Sequence, residues 1–158
     1  MALFRYPITP WAASNEPFAH RGRKRLRPVV RLKVVGPSGI LGVHTYLDTG
    51  SEFCLFPEWV AWRVGLRKQP QSAMMPVGSS VSGTGFVAWF DTVQLQIDDP
   101  ANVQAPFRWS AAVGFTPAGS FATSPIAGLL GVNGGLDRFQ RVEFDWSALG
   151  GPEVVVRV

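Results

Sequence analysis

An aspartate at the end of an apolar run is the residue of this chain best placed to do chemistry. Asp48 follows the run at residues 43–47 and is followed by Thr49, Gly50 and Ser51, which are typical of a tight loop. Two carboxylates held close together repel each other, so one stays protonated while the other is ionised. The ionised group can take a proton from water while the protonated group polarises a carbonyl. The chain contains one Asp-Thr-Gly, so if it performs this chemistry the second carboxylate must come from a second copy.

The residues around Asp48 predict the elements that position this loop. Residues 43–47 are rich in β-branched and aromatic types and predict a strand that enters the loop, and residues 53–56 predict a short buried strand that leaves it. A short helix is predicted for residues 57–66. The Ser51 hydroxyl can donate a hydrogen bond to the Asp48 carboxylate and so help to hold its ionised form.

A second motif lies downstream, where Leu129 and Leu130 precede Gly131. Together with the loop at residues 48–51, this motif makes the chain resemble the retropepsin-like aspartic peptidases, specifically their small single-domain bacterial members, over roughly residues 28–158. The resemblance implies that Gly131 lets the backbone pass close behind the loop, where no side chain fits. It also implies one catalytic residue, Asp48, three residues that support its loop, Thr49, Gly50 and Ser51, and a loop-supporting motif formed by Leu129, Leu130 and Gly131.

The chain departs from the family pattern after the second motif. Many relatives have a polar residue and a bulky apolar pair there, whereas this chain has Val-Asn-Gly-Gly at residues 132–135. Two glycines lower helix propensity, so we expect the short helix of this region to begin later, near Leu136.

A segment rich in glycine and serine, residues 77–85, lies between the two motifs. The resemblance implies that this segment is a flap, a hairpin that closes over bound peptide, and glycines in its tip suit a lid that must open. Backbone groups at the tip would pair with an extended substrate as an added strand. The predicted flap and substrate-binding residues are Ser82, Gly83, Thr84 and Gly85. An ordinary surface hairpin is the alternative.

The rest of the chain predicts one strand after another. The predicted strands include residues 29–35, 40–47, 86–97, 107–115, 141–146 and 154–158. With the resemblance, this pattern predicts an all-β protein with the closed-barrel acid-protease (retropepsin-like) fold and one or two short helices. No internal repeat supplies a second lobe, so we expect a homodimer.

Composition bounds the remaining possibilities. A chain of 158 residues with 46% hydrophobic and 16% charged residues fits one globular domain. No apolar run approaches the ~20 residues that cross a bilayer, so no membrane partner is expected. The single cysteine, Cys54, cannot form an internal disulfide, which indicates a reducing compartment and hence a cytoplasmic protein. No cluster of metal-binding residues and no phosphate loop is present, so neither metal nor cofactor is predicted.

Positive charge is concentrated near the N-terminus. Residues 1–33 carry eight Lys/Arg and one acid, a balance of +7, while the remainder carries seven Lys/Arg and ten acids, a balance of −3. We predict an N-terminal extension at residues 1–27, with a basic run at residues 20–27, and a peptidase domain at residues 28–158. The basic run leaves a nucleic-acid partner open, although a solvated arm is favoured because no nucleic-acid-binding motif is present.

The sequence therefore predicts an aspartic-type endopeptidase, a hydrolase that acts as a homodimer on a peptide or protein substrate. Two alternatives come from other classes of function. The chain could be a non-catalytic peptide-binding or scaffolding module on the same dimeric fold, or a nucleic-acid-binding protein that uses its basic run. For Asp48 itself, the alternative is a turn aspartate satisfied by backbone N–H groups.

Overall fold

The computed structural model describes residues 1–8, 10–11, 25–26, 28–70, 72–78, 85–117 and 128–158. Within these ranges the strands are β1 (Leu3–Pro7), β2 (Pro10–Trp11), β3 (Arg25–Leu26), β4 (Val29–Gly36), β5 (Gly39–Leu47), β6 (Cys54–Pro57), β7 (Ala73–Gly78), β8 (Gly85–Ile97), β9 (Phe107–Thr116), β10 (Gly128–Leu130), β11 (Arg141–Asp145) and β12 (Glu153–Arg157). An α-helix, α1 (Glu58–Arg63), follows β6, and a 3₁₀ turn (Leu136–Arg138) follows β10.

Six strands close into a barrel. They are hydrogen-bonded in the order β4, β5, β10, β6, β9 and β8, and the pairing of β8 with β4 closes the ring. The pairs β5–β10 and β6–β9 are parallel, and β7 adds to the outer part of β8 as an antiparallel hairpin. The prediction of an all-β, closed-barrel fold with one or two short helices is confirmed.

Apolar side chains, which alternate with polar ones along the strands, fill the inside of the barrel. In β4, Val30, Leu32 and Val34 are buried while Arg31 between them is exposed. In β5 the inward residues lead along the strand to Leu47, the residue before Asp48. Full burial of each such side chain stabilises the fold by about 1.5–3 kcal/mol, so the core holds β5 firmly in place.

A second sheet joins the two chain termini. Strand β1 pairs with β12, and β12 pairs with β11, all antiparallel. Phe4 and Tyr6 of β1 are buried in the core, and the Tyr6 hydroxyl donates to the Asp98 carbonyl at 2.7 Å. Phe4, Tyr6 and Ile8 therefore pack as part of the core, although they lie inside the predicted extension. The division of the chain at residues 27 and 28 stays a prediction, and of the basic run at residues 20–27 only β3 is described.

The helix α1 begins and ends within the predicted span. Pro57 is its N-cap, Glu58 lies in the first turn, and Val60 and Ala61 are buried against the barrel. Gly65, just beyond its end, has φ +85°, a left-handed conformation that favours glycine. No described helix is long and apolar enough to cross a membrane.

Candidate active site

Asp48 begins a tight loop where β5 ends. Its backbone N–H donates to the Leu130 carbonyl at 3.1 Å, and the Ser51 N–H donates to the Asp48 carbonyl at 3.2 Å, which closes the turn. The Gly50 N–H donates to Asp48 Oδ1 at 3.0 Å, and the Asp48 side chain is half-buried. The loop thus orients this carboxylate through its own backbone and leaves it accessible from solvent. Thr49 beside it is exposed.

The second motif lies directly behind this loop. Leu129 and Leu130 on β10 pair in parallel with Tyr46 and Leu47 on β5. At Gly131 an added Cβ would lie 2.3 Å from the Phe53 carbonyl oxygen and 2.8 Å from the Ser51 carbonyl oxygen. Both distances are below any normal contact, so the close approach requires glycine. The structure therefore brings the two sequence motifs together.

Backbone conformation and close packing explain why two glycines follow the second motif. Gly134 has φ +77°, and its carbonyl accepts a hydrogen bond from the Trp109 indole at 2.8 Å. At Gly135 an added Cβ would lie 2.4 Å from the Gly131 carbonyl oxygen and 2.7 Å from Cys54 Sγ. These residues let the chain turn back tightly against the second motif. The short helix expected near Leu136 is a 3₁₀ turn that begins there.

The predicted hydrogen bond from Ser51 to Asp48 is wrong. The Ser51 hydroxyl donates to the Phe53 carbonyl at 2.8 Å. That carbonyl also lies against Gly131, where the chain leaving the loop packs on the second motif. Ser51 therefore ties the two ends of the loop together through the backbone and not through the carboxylate.

Cys54 fills the core beside the loop. Its side chain is fully buried, and Sγ lies 3.9 Å from the Gly131 carbonyl and 3.7 Å from the Asn133 carbonyl. Burial raises the pKa of the Cys54 thiol to about 12, so it stays protonated at neutral pH. A thiol in this state is a poor nucleophile, so Cys54 is a packing residue.

One row of side chains crosses the barrel on the face that carries Asp48. Strand pairing places these residues side by side, in the order Tyr46, Leu129, Leu55, Gly114 and Phe90. Each member has at least one chain neighbour in the buried core, so this row faces the outside of the barrel. Asp48 follows Tyr46 by two residues, the spacing that returns a side chain to the same face of a strand. The row is therefore an apolar wall next to the carboxylate.

A hairpin projects at the end of this wall. Strands β7 and β8 pair in register up to Gly78 and Gly85, and its tip, residues 79–84, lies outside the described residues. Of the predicted flap residues, Gly85 is the first residue of β8, whereas Ser82, Gly83 and Thr84 are not described. At the hairpin base Trp89 is buried and its indole donates to Glu58 Oε1 at 2.8 Å.

Sequence reasoning missed the wall because its members come from five strands. Tyr46, Leu129 and Phe90 are half-buried, and Leu55 is 3% exposed although it lies outside the barrel core. A local signal existed in the alternate spacing of Tyr46 and Asp48, which predicts a shared face. The rest depends on strand register, which no single segment encodes.

A second pair of carboxylates, Asp98 and Asp99, borders a cavity of about 560 Å³. Asp98 accepts hydrogen bonds from Lys33 and Gln96, each at 2.6 Å. Burial raises the pKa of Asp98, but these two partners outweigh it and leave the pKa below its usual range. Backbone N–H groups, that of Ala101 foremost, lower the pKa of Asp99. Both carboxylates are already hydrogen-bonded to other partners that favour the ionised form, unlike a catalytic pair that shares one proton.

Among the described residues, no group of three or more His, Cys, Asp or Glu could hold a metal ion. The groups described at the candidate site are the Asp48 carboxylate, the loop N–H groups and the apolar wall.

The fold resembles that of a solved structure, a retropepsin-like aspartic protease from Rickettsia conorii. The TM-score is 0.50 and the sequence identity 13%, and the match covers 99% of this chain and 93% of that chain. No protein-family model and no curated protein matches the sequence. At this identity the likeness concerns the fold alone, which is retropepsin-like.

Proposed function

We propose that the protein is an aspartic-type endopeptidase that acts as a homodimer on peptide or protein substrates. One observation carries this proposal. The Asp48 loop is hydrogen-bonded to Leu130 and packed without a gap against Gly131, within a retropepsin-like fold. A turn aspartate with a purely structural role would not need a loop that is fixed from behind by a second motif while its carboxylate stays accessible.

The dimer supplies the second carboxylate. Each chain carries one Asp-Thr-Gly, and an isologous two-fold dimer brings the same surface of both chains together. Asp48 is half-buried and Thr49 is exposed, so the tip of the loop is available to meet its copy across the axis. The family resemblance gives the threonines the role of locking the two loops together.

Hydrolysis follows from two Asp48 carboxylates that share one proton. The ionised carboxylate takes a proton from a bound water, whose oxygen attacks the carbonyl carbon of the peptide bond. The protonated carboxyl donates its hydrogen bond to the carbonyl oxygen and supports the negative charge that develops there. Proton transfer to the nitrogen then breaks the C–N bond and releases an acid and an amine. The pair titrates as one unit.

The apolar wall and the β7–β8 hairpin would hold the substrate. An extended peptide laid beside Asp48 would place side chains on Tyr46 and Leu129, which are half-buried, while its backbone pairs with the hairpin. We therefore expect apolar residues near the cleaved bond. We also place the enzyme in the cytoplasm, where the unpaired Cys54 would remain reduced.

The test uses wild type, Asp48→Asn and Asp91→Asn with a diverse peptide library between about pH 3 and about pH 7, with products read by mass spectrometry. Asp91 is a matched control because its Oδ1 also accepts a nearby backbone N–H, from Thr92 at 2.7 Å, and it lies on β8, outside residues 48–51. We expect cleavage by wild type and Asp91→Asn, and none by Asp48→Asn. Folded, dimeric wild type that binds peptides and never cuts them would instead support the non-catalytic peptide-binding module.

A further inference from the structure

Two aromatic rings connect the hairpin to the Asp48 loop. Phe90 lies on β8 at the hairpin base, paired with Ala73 of β7, and Phe53 lies where the chain leaves the loop. Their ring centroids are 5.3 Å apart and their planes meet at 75°, an edge-to-face geometry that aromatic pairs favour. Phe53 also forms a backbone bridge with Asn133, just after the second motif. Both side chains are half-buried, so the contact lies at the protein surface, beside the apolar wall.

A glycine makes room for the Phe90 ring. Gly114 on β9 lies between Phe90 and Leu55 in the row across the barrel. An added Cβ at Gly114 would lie 3.0 Å from Phe90 Cζ and 2.7 Å from Leu55 Cδ2. The Phe90 ring and the Leu55 side chain thus meet over the glycine. Phe90 is held by Gly114 beneath it, by Leu55 beside it and by Phe53 from the loop.

The opposite face of the hairpin base is fixed as well. Trp89, the neighbour of Phe90, is buried against Phe115 with ring centroids 4.7 Å apart, and its indole binds Glu58 of α1. The base of the hairpin is therefore clamped on both faces. The Phe90 side connects it to the exit of the loop that carries Asp48.

We propose that Phe53 and Phe90 form an aromatic latch that sets the position of the β7–β8 hairpin relative to the Asp48 loop, which makes Phe90 a positioning residue for peptide hydrolysis. This inference rests on the proposed function. Hydrolysis requires the peptide bond to be held close to the attacking water, and small displacements of the groups that hold it are costly. A hairpin that shifts when the latch is lost would still bind peptide on the apolar wall, but in less productive positions.

The experiment compares wild type with Phe90→Leu, Phe53→Leu, the double variant and Phe107→Leu, using a peptide that wild type cleaves. Phe107 is the matched control because it is also half-buried and its ring contacts that of Trp109 at 5.4 Å, at the far end of β8 and β9. We expect each latch variant to lower kcat about tenfold with a smaller change in KM, and Phe107→Leu to keep the wild-type kcat. The double variant should lose no more than either single variant, since one contact is removed in each case.

Two further variants distinguish the loss of the ring contact from a general effect on folding. Phe53→Tyr keeps an aromatic ring and should retain a kcat near that of wild type. Gly114→Ala displaces the Phe90 ring without removing it and should resemble Phe90→Leu. Wild-type kcat in Phe90→Leu, or a double variant whose losses multiply, would overturn the latch while leaving the peptidase intact. A folded wild type that cleaves no peptide would overturn the proposed function and the latch with it.

Discussion

Gly131 lies so close to Phe53 that a single methyl group on its Cα would stand 2.3 Å from the Phe53 carbonyl oxygen. Gly131 ends the second motif, just after β10, and Phe53 lies where the chain leaves the Asp48 loop. Their contact is reinforced by hydrogen bonds from Val132 N–H to the Ser51 carbonyl and from Asn133 N–H to the Glu52 carbonyl, at 2.9 and 2.8 Å. The position of the Asp48 loop therefore depends on the backbone of the second motif.

Gly131→Ala should displace the loop. The methyl group would meet backbone atoms, which cannot rotate away as a side chain does, so we expect the free energy of unfolding to fall by about 1–3 kcal/mol or more. Peptidase activity should be lost in whatever protein remains folded. Chemical denaturation gives the stability, and Gly150→Ala is the control because no atom lies within 4 Å of its added Cβ. Equal stability of the two variants would contradict the packing described here.

Ser51→Ala tests the role of the hydroxyl. Loss of its 2.8 Å hydrogen bond to the Phe53 carbonyl should lower the free energy of unfolding by about 1 kcal/mol. The pH profile of activity should keep its shape, because the hydroxyl does not bind the Asp48 carboxylate. Both quantities can be measured on one preparation, by denaturant titration and by kcat/KM against pH. A shift of the acid limb in Ser51→Ala would show that the hydroxyl acts on the carboxylate pair after all.

Cys54 should resist modification in the folded protein. Its thiol is fully buried, and burial raises its pKa to about 12. A reagent therefore cannot reach the sulfur, and little of the reactive thiolate is present. At about pH 8 a thiol reagent should label the denatured chain quickly and the native chain only as it unfolds. Mass spectrometry after timed quenching measures both rates. Rapid labelling of native protein would place Cys54 in a more open environment than the structure gives it.

The fold should lose stability in acid through Asp98 and Asp99. Each has a pKa below its unfolded value of about 3.9, so each contributes stability that is complete above that value and is lost as pH falls toward the folded pKa. We expect the unfolding free energy to decline below about pH 4 and to decline less in Asp98→Asn. Denaturant titrations across this range measure the effect. Stability that is independent of pH there would rule out these two groups as its source.

The sequence predicted the elements around Asp48 because their signals are local. Alternation in β4 and β5 and the loop residues after Leu47 each occupy one short segment, and the predicted bounds lie within a residue of those observed. Strand β1 was not predicted because its partner β12 lies at the other end of the chain, so its pairing is non-local. The short alternation of Phe4 and Tyr6 between polar and proline residues was too brief to indicate a strand alone.

The sequence alone likewise could not predict those contacts of the site that depend on the register between strands. Phe90 meets Gly114 and Leu55 only because β8, β9 and β6 lie side by side in one register. The Ser51 hydroxyl binds the Phe53 carbonyl because of how the loop bends, which residue types alone do not specify. The family resemblance located the catalytic candidate, and the three-dimensional arrangement supplied its neighbours.

The central claim is that two copies of Asp48 form one active site, and mixing wild type with Asp48→Asn tests it most directly. The two proteins are unfolded together, refolded at constant total concentration and assayed for peptide cleavage. If each active dimer needs two wild-type chains, an equal mixture should keep about one quarter of the wild-type activity, and Asp91→Asn in place of Asp48→Asn should keep it all. Activity that falls only to about one half, in proportion to the wild-type fraction, would show that each chain acts alone and would contradict the account.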